Sequence, residues 1–128
     1  RVDSINDIKR KRALSFMTAL EDETELRFHR VDSNRHNYHL LVAEAHGIDR
    51  DQFIRTMAYD HGIQCVVQYY PLYRYDLYQQ LGYGNVRLEN TDHFFDNMIS
   101  FPFHFMIDDD DLDQIISATK KVLRLCRQ

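Results

Sequence analysis

Tryptophan is absent from this sequence, and cysteine, proline and glycine are scarce, with two, two and four residues. The two cysteines, Cys65 and Cys126, lie far apart in apolar runs. That placement excludes a fold stapled by disulfides and any zinc-type ligand spacing, and it fits a reducing cytoplasm. So little proline and glycine excludes a linker or a collagen-like repeat. No apolar run approaches the ~20 residues that a membrane span needs. A nucleophile elbow, a phosphate loop and a dinucleotide fingerprint are all missing. Lysine is also scarce, with only Lys9, Lys11, Lys120 and Lys121.

What is present describes one globular domain. The chain has 128 residues, of which 44% are apolar and 28% charged, and a domain usually takes ~100–150. A net charge of −4 argues against a general nucleic-acid binder. The basic run Lys9, Arg10, Lys11 and Arg12 falls inside a helical pattern and reads as a solvated helix face.

Hydrophobic spacing sets out the elements. Val2, Ile5, Ile8, Ala13, Phe16, Met17 and Leu20 recur at helical steps, so a helix opens the chain with almost no lead-in. A start of this kind is expected of a piece cut from a longer protein. A polar stretch over 21–34 should hold a turn and an edge segment. Residues 38–44 read as a central strand. His36 and His39 would point to opposite faces of an extended strand, which makes them poor partners for one metal. A second helix is expected over 49–61, opened by Asp49 with Gln52 and closed by Gly62 as a left-handed residue with Ile63 packing back. Residues 63–70 read as a strand that stops at Pro71. A short helix follows over 91–99, capped by Asn90 or Thr91, and then an extended segment over 100–105. The last helix carries Leu112, Ile115, Ile116, Thr119, Val122, Leu123 and Cys126 on one face. The acidic run ahead of it fails as a calcium loop. Counting from Asp109, the sixth position is Gln114 rather than glycine and the twelfth is Lys120 rather than glutamate. The run is expected to cap the helix and complement its dipole.

These elements predict an α+β fold. It is a small two-layer sandwich with a three-stranded, mainly antiparallel sheet, helices packed on one face, and long N- and C-terminal helices. Residues 69–83 hold six of the eight tyrosines. A tyrosine combines a flat apolar body with a polar tip, which suits a binding surface.

Several segments carry a resemblance. Residues 62–73, GIQCVVQYYPLY, resemble the G-I-x-x-x-V-H-Y-x-P-L-H segment in the small C-terminal domain of the DegT/DnrJ/StrS sugar aminotransferases. In order along the chain, RVDSIN at 1–6, YHL at 38–40, DRD at 49–51, YQQLGY at 78–83, SFPFH at 100–104 and DLDQII at 111–116 resemble further motifs of that family. The resemblance implies that residues 1–128 are the small domain of a pyridoxal-phosphate enzyme of fold type I. Such enzymes move an amino group from a donor onto a nucleotide-linked keto-sugar. It implies that this domain closes over the active site, with Gln68, Tyr69 and Tyr73 at substrate-binding positions. Gln68 stands where the motif has histidine; it can still donate and accept hydrogen bonds but cannot titrate near neutral pH. Tyr73 replaces the second histidine.

The resemblance also implies partners: the large catalytic domain of the same protein, a nucleotide-sugar substrate, an amino donor, and a second copy in a homodimer. Neither nucleic acid nor membrane is expected. The four lysines fall on polar helix faces, so no catalytic residue and no bound pyridoxal phosphate are expected of this chain alone. An apolar patch should be left bare on the first helix, where a large domain would dock. Two other readings remain: a stand-alone ligand-binding or regulatory domain, and a protein-interaction domain built on the tyrosine segment.

Overall fold

The computed structural model describes residues 1–29 and 36–127. Helix α1 (Val2–Ala19) leads to strand β1 (Leu26–Phe28), strand β2 (Leu41–Ala45) and helix α2 (Arg50–His61). Two short turns follow, a 3-10 turn at Leu72–Arg74 and α3 (Asp76–Tyr78), and α3 continues into a π turn at Gln79–Tyr83. Helix α4 (Glu89–Asn97), strand β3 (Met98–Phe101) and helix α5 (Asp109–Cys126) complete the chain.

The sheet is antiparallel in the order β1-β2-β3. Alternation along β2 turns Leu41, Ala43 and Ala45 into the core. The register places Ala43 between Phe28 and Ile99, and Leu41 opposite Phe101. Over this face Phe16 of α1 meets Phe28 and Phe101, with ring centroids 5.9 and 5.1 Å away, and Phe53 of α2 meets Phe101 edge-on. Leu112, Ile115, Val122 and Leu123 of α5 are buried in the same core. The α+β sandwich with a three-stranded antiparallel sheet is therefore the observed architecture.

One strand differs from the expected set. Residues 63–70 do not form a strand. The Cys65 amide bonds back to the Ile63 carbonyl at 3.2 Å and curls the chain, so Val66 alone pairs with Ser100. The third strand is instead β1, within the polar stretch, of which residues 30–34 lie outside the described ones. The boundaries of α2 and α5 follow the expected chemistry, whereas α4 runs over Glu89–Asn97 instead of 91–99, and Met98 and Ile99 belong to β3. Asp49 accepts from the Gln52 amide at 2.9 Å, and Gly62 takes φ 68° at the helix end, with Ile63 bonding back to Met57. Asp108 and Asp111 form a reciprocal capping box on α5. At the other end of α5, Arg127 donates to Glu23 and Glu25 at 2.7 and 2.6 Å; hydrogen bonding to Arg127 holds the Glu25 carboxyl below its usual range.

Helix α1 buries only Ala13 and Phe16 fully. Val2, Ile8 and Leu14 stay exposed, Val2 by 69%, but their six-residue spacing sets them on three different sides of the helix, so they form no single apolar patch. Among the described residues no helix is long and apolar enough to cross a membrane. Thr119 is fully buried, and its hydroxyl has no hydrogen-bond partner among the described residues. An unmet buried hydroxyl costs about 1–3 kcal/mol. Thr119→Val keeps the shape and removes that hydroxyl, so it should raise stability by ~1 kcal/mol, read as a higher urea midpoint at unchanged slope.

Candidate functional site

The site is built where the chain leaves the core beyond α2. Ile63 and Cys65 are buried, and the Val66–Ser100 bridge, with N···O distances of 3.0 and 2.8 Å, fixes the segment beside β3. Two residues later the chain emerges. Gln68 is half-buried, the Gln68–Tyr69 peptide bond is cis, and the Tyr69 side chain is 66% exposed. Among the described residues the Tyr69 hydroxyl makes no hydrogen bond. Pro71 is buried again, which makes residues 68–70 a short rim standing off the body.

Helix α4 holds the far side of this rim. Asp92, Phe95 and Asp96 fall on one face by their three- and four-residue spacing. Arg74 donates to Asp92 and, at 3.1 Å, to Asp96, while its guanidinium lies 5.3 Å from the Phe95 ring centre. The Tyr73 hydroxyl donates to the same Asp92 carboxylate. Tyr70 packs edge-on between Tyr75 and Phe95, with centroids 4.9 and 5.3 Å away. These bonds, from Tyr73 first and then Arg74, hold the Asp92 carboxyl below its usual range. Burial and the bond to Asp92 push the Tyr73 phenol up. Helix α4 is itself pinned: Arg50 donates to the Phe95 carbonyl at 2.9 Å, and His93 meets the Glu44 carboxylate of β2 at 3.1 Å.

Of the three residues expected at the site, Gln68 and Tyr69 are adjacent on the rim, and Tyr73 has its hydroxyl turned toward α4. Sequence reasoning missed Arg74, Asp92 and Asp96. The available signal was the Asp-x-x-x-Asp spacing on a helix whose apolar anchors are aromatic.

The chemistry on offer is hydrogen bonding and aromatic contact. Burial pushes the Cys65 thiol up to about 12, so it is no nucleophile. Two open clefts, of about 790 and 390 Å³, flank Tyr38 and His29, and no lysine is among the residues lining either. Among the described residues no group of three or more His, Cys, Asp or Glu is arranged to hold a metal ion.

The domain thus joins a clamped polar rim to a buried aromatic core. Its family is shown by comparison: the chain belongs to the DegT/DnrJ/EryC1/StrS aminotransferase family, whose family model matches residues 1–120. It is 26% identical over 98 residues to the spore coat polysaccharide biosynthesis protein SpsC of Bacillus subtilis, a match covering 73% of this chain and 25% of that protein. The fold is that of PseC of Helicobacter pylori, an aminotransferase involved in the biosynthesis of pseudoaminic acid. That match has a TM-score of 0.82 and 22% identity, and covers 93% of this chain and 33% of PseC. NtdA of Bacillus subtilis, solved with bound cofactor PMP, matches with a TM-score of 0.80 at 20% identity, over 93% of this chain and 28% of NtdA. The chain thus spans about a quarter to a third of the relatives it matches.

Aminotransferases of this family use pyridoxal phosphate. The described residues do not fit that coenzyme. Its aldehyde needs a lysine in a pocket with room for the ring. Lys11 and Lys121 are exposed, Lys120 is half-buried on α5, and Lys9 lies along α1 with Nζ 5.6 Å from the Phe103 ring centre. Lys9 departs from expectation in one respect: partial burial lowers its pKa.

Proposed function

We propose that this chain is the C-terminal small domain of a pyridoxal-phosphate-dependent sugar aminotransferase. In the parent protein it closes over the active site and grips a nucleotide-linked keto-sugar with Tyr69 and Gln68, with Tyr73 beside them. The observation that carries this reading is the Tyr69 hydroxyl, offered to solvent from a rim held on both sides. An exposed phenol on a fixed backbone is a preorganised hydrogen-bonding group. The Gln68 amide next to it can donate and accept toward sugar hydroxyls. The coenzyme, its lysine and the amino donor site belong to the large domain of the same protein. That domain docks against α1, whose Val2, Ile8 and Leu14 are exposed. The parent works as a cytoplasmic homodimer.

In the full-length parent, Tyr69→Phe should lower kcat/KM for the nucleotide-sugar about five- to tenfold, the worth of one neutral hydrogen bond of ~1 kcal/mol or slightly more. Its melting temperature should stay within about 2 °C, because an exposed substitution is nearly neutral for stability. Unchanged kinetics would remove the reading. Exposed Leu72, Leu77 and Leu81 beside the rim favour a second reading, a protein-interaction domain, which predicts that outcome.

A further inference from the structure

We infer that Arg74 is a positioning residue that sets where Tyr69 presents its hydroxyl to the substrate. This rests on the substrate-gripping role of Tyr69 proposed above.

Tyr69 is held from two directions. Upstream, the last fixed backbone point is the Val66–Ser100 bridge. Downstream, residues 72–83 contribute no buried side chain to the core. Their attachment to the body therefore falls on the contacts with α4, and Arg74 makes three of them at once. Its planar fork reaches Asp92 and Asp96 while its face lies over Phe95. Arg74 also shares the Asp92 carboxylate with Tyr73, so the two residues lock one another. Without Arg74, the segment would keep the Tyr73–Asp92 bond and the Tyr70 contacts with Tyr75 and Phe95 but would lose its fork onto α4. A lysine is a compact point charge; it cannot fork onto two carboxylates and lie flat on a ring together. Misplacing a substrate contact by about 1 Å can cost on the order of 10²-fold in turnover efficiency.

The experiment uses the full-length parent with Arg74→Lys, Asp96→Asn and Tyr69→Phe side by side. For Arg74→Lys we expect KM for the nucleotide-linked keto-sugar to rise up to about five- to tenfold, the most that losing the Tyr69 hydroxyl contact costs, with kcat changed less than about threefold. The half-reaction with the amino donor alone, followed by the coenzyme's visible band, should stay within twofold of wild type. The double variant Arg74→Lys/Tyr69→Phe should be little worse than Arg74→Lys, because the two residues act as one unit. Asp96→Asn, at an exposed carboxylate, should give a smaller KM increase of the same kind, and it carries the test if Arg74→Lys does not fold. An unchanged sugar KM overturns the inference. A parallel fall in the donor half-reaction also overturns it, since that marks a general structural role. If Tyr69→Phe raises KM and the Arg74 and Asp96 variants do not, only the positioning role falls. If Tyr69→Phe has no effect, the gripping role falls, and the positioning role falls with it.

Discussion

Phe16→Ala should lower the stability of this domain by about 3–5 kcal/mol. Phe16 is fully buried, and its ring is the point at which α1 meets the sheet, against Phe28 and Phe101. The loss has two parts: the transfer free energy of the ring, and the cavity left between helix and sheet. Neighbouring aromatics cannot collapse into that space without leaving their own contacts, because Phe101 also packs on Phe53. A domain of this size holds about 5–15 kcal/mol in all, so the variant should keep about four fifths of it at best and, at the low end, none. At about 4 °C per kcal/mol for this length, the melting temperature should fall by roughly 12–20 °C. Leu14→Ala provides the contrast. Leu14 lies on the same helix but is half exposed, and its removal should change stability by less than about 0.5 kcal/mol. Calorimetry on the two variants separates the buried stripe of α1 from its exposed positions. A loss under about 1 kcal/mol for Phe16→Ala would mean that the helix does not pack as described.

The contrast between those two residues shows what sequence patterning conveys. The period of α1 is readable, but Val2, Ile8 and Leu14 are as apolar as Phe16 and Leu20, and only the fold separates the buried from the bare. Helix α2 was legible to the residue because chemistry fences it: Asp49 at the start and Gly62 at φ 68° at the end. Helix α4 had no such fence. Its cap position is Leu88 without a side-chain bond, so the helix starts ahead of the expected Asn90 or Thr91. Strand β1 is three residues long, too short for a period to register among the glutamates around it. Residues 63–70 failed in the opposite way. Their composition is that of a strand, but the Cys65-to-Ile63 bond turns the backbone off the ladder.

The site divides along the same line. Gln68 and Tyr69 were read from a contiguous motif. The Arg74 clamp was not, because its partners Asp92 and Asp96 lie 18 and 22 residues away along the chain. Local spacing cannot encode a pairing across that distance.

We propose a division of labour in which this domain holds substrate and leaves the coenzyme to the rest of the parent protein. The second large effect follows from it and is all-or-none. Coenzyme capture requires a lysine that is partly deprotonated near neutral pH and seated in a pocket with room for the pyridine ring. Lys9 comes nearest to the first condition, since burial lowers its pKa, but its ammonium lies over Phe103 on the flank of α1, and no lysine lines either cleft. The most direct measurement is to titrate the purified 128-residue chain with pyridoxal phosphate, reduce with borohydride, and map the labelled lysines by mass spectrometry. The expected result is no saturable visible band and only weak labelling spread over Lys9, Lys11, Lys120 and Lys121. A stoichiometric adduct confined to one of them, Lys9 above all, would contradict it.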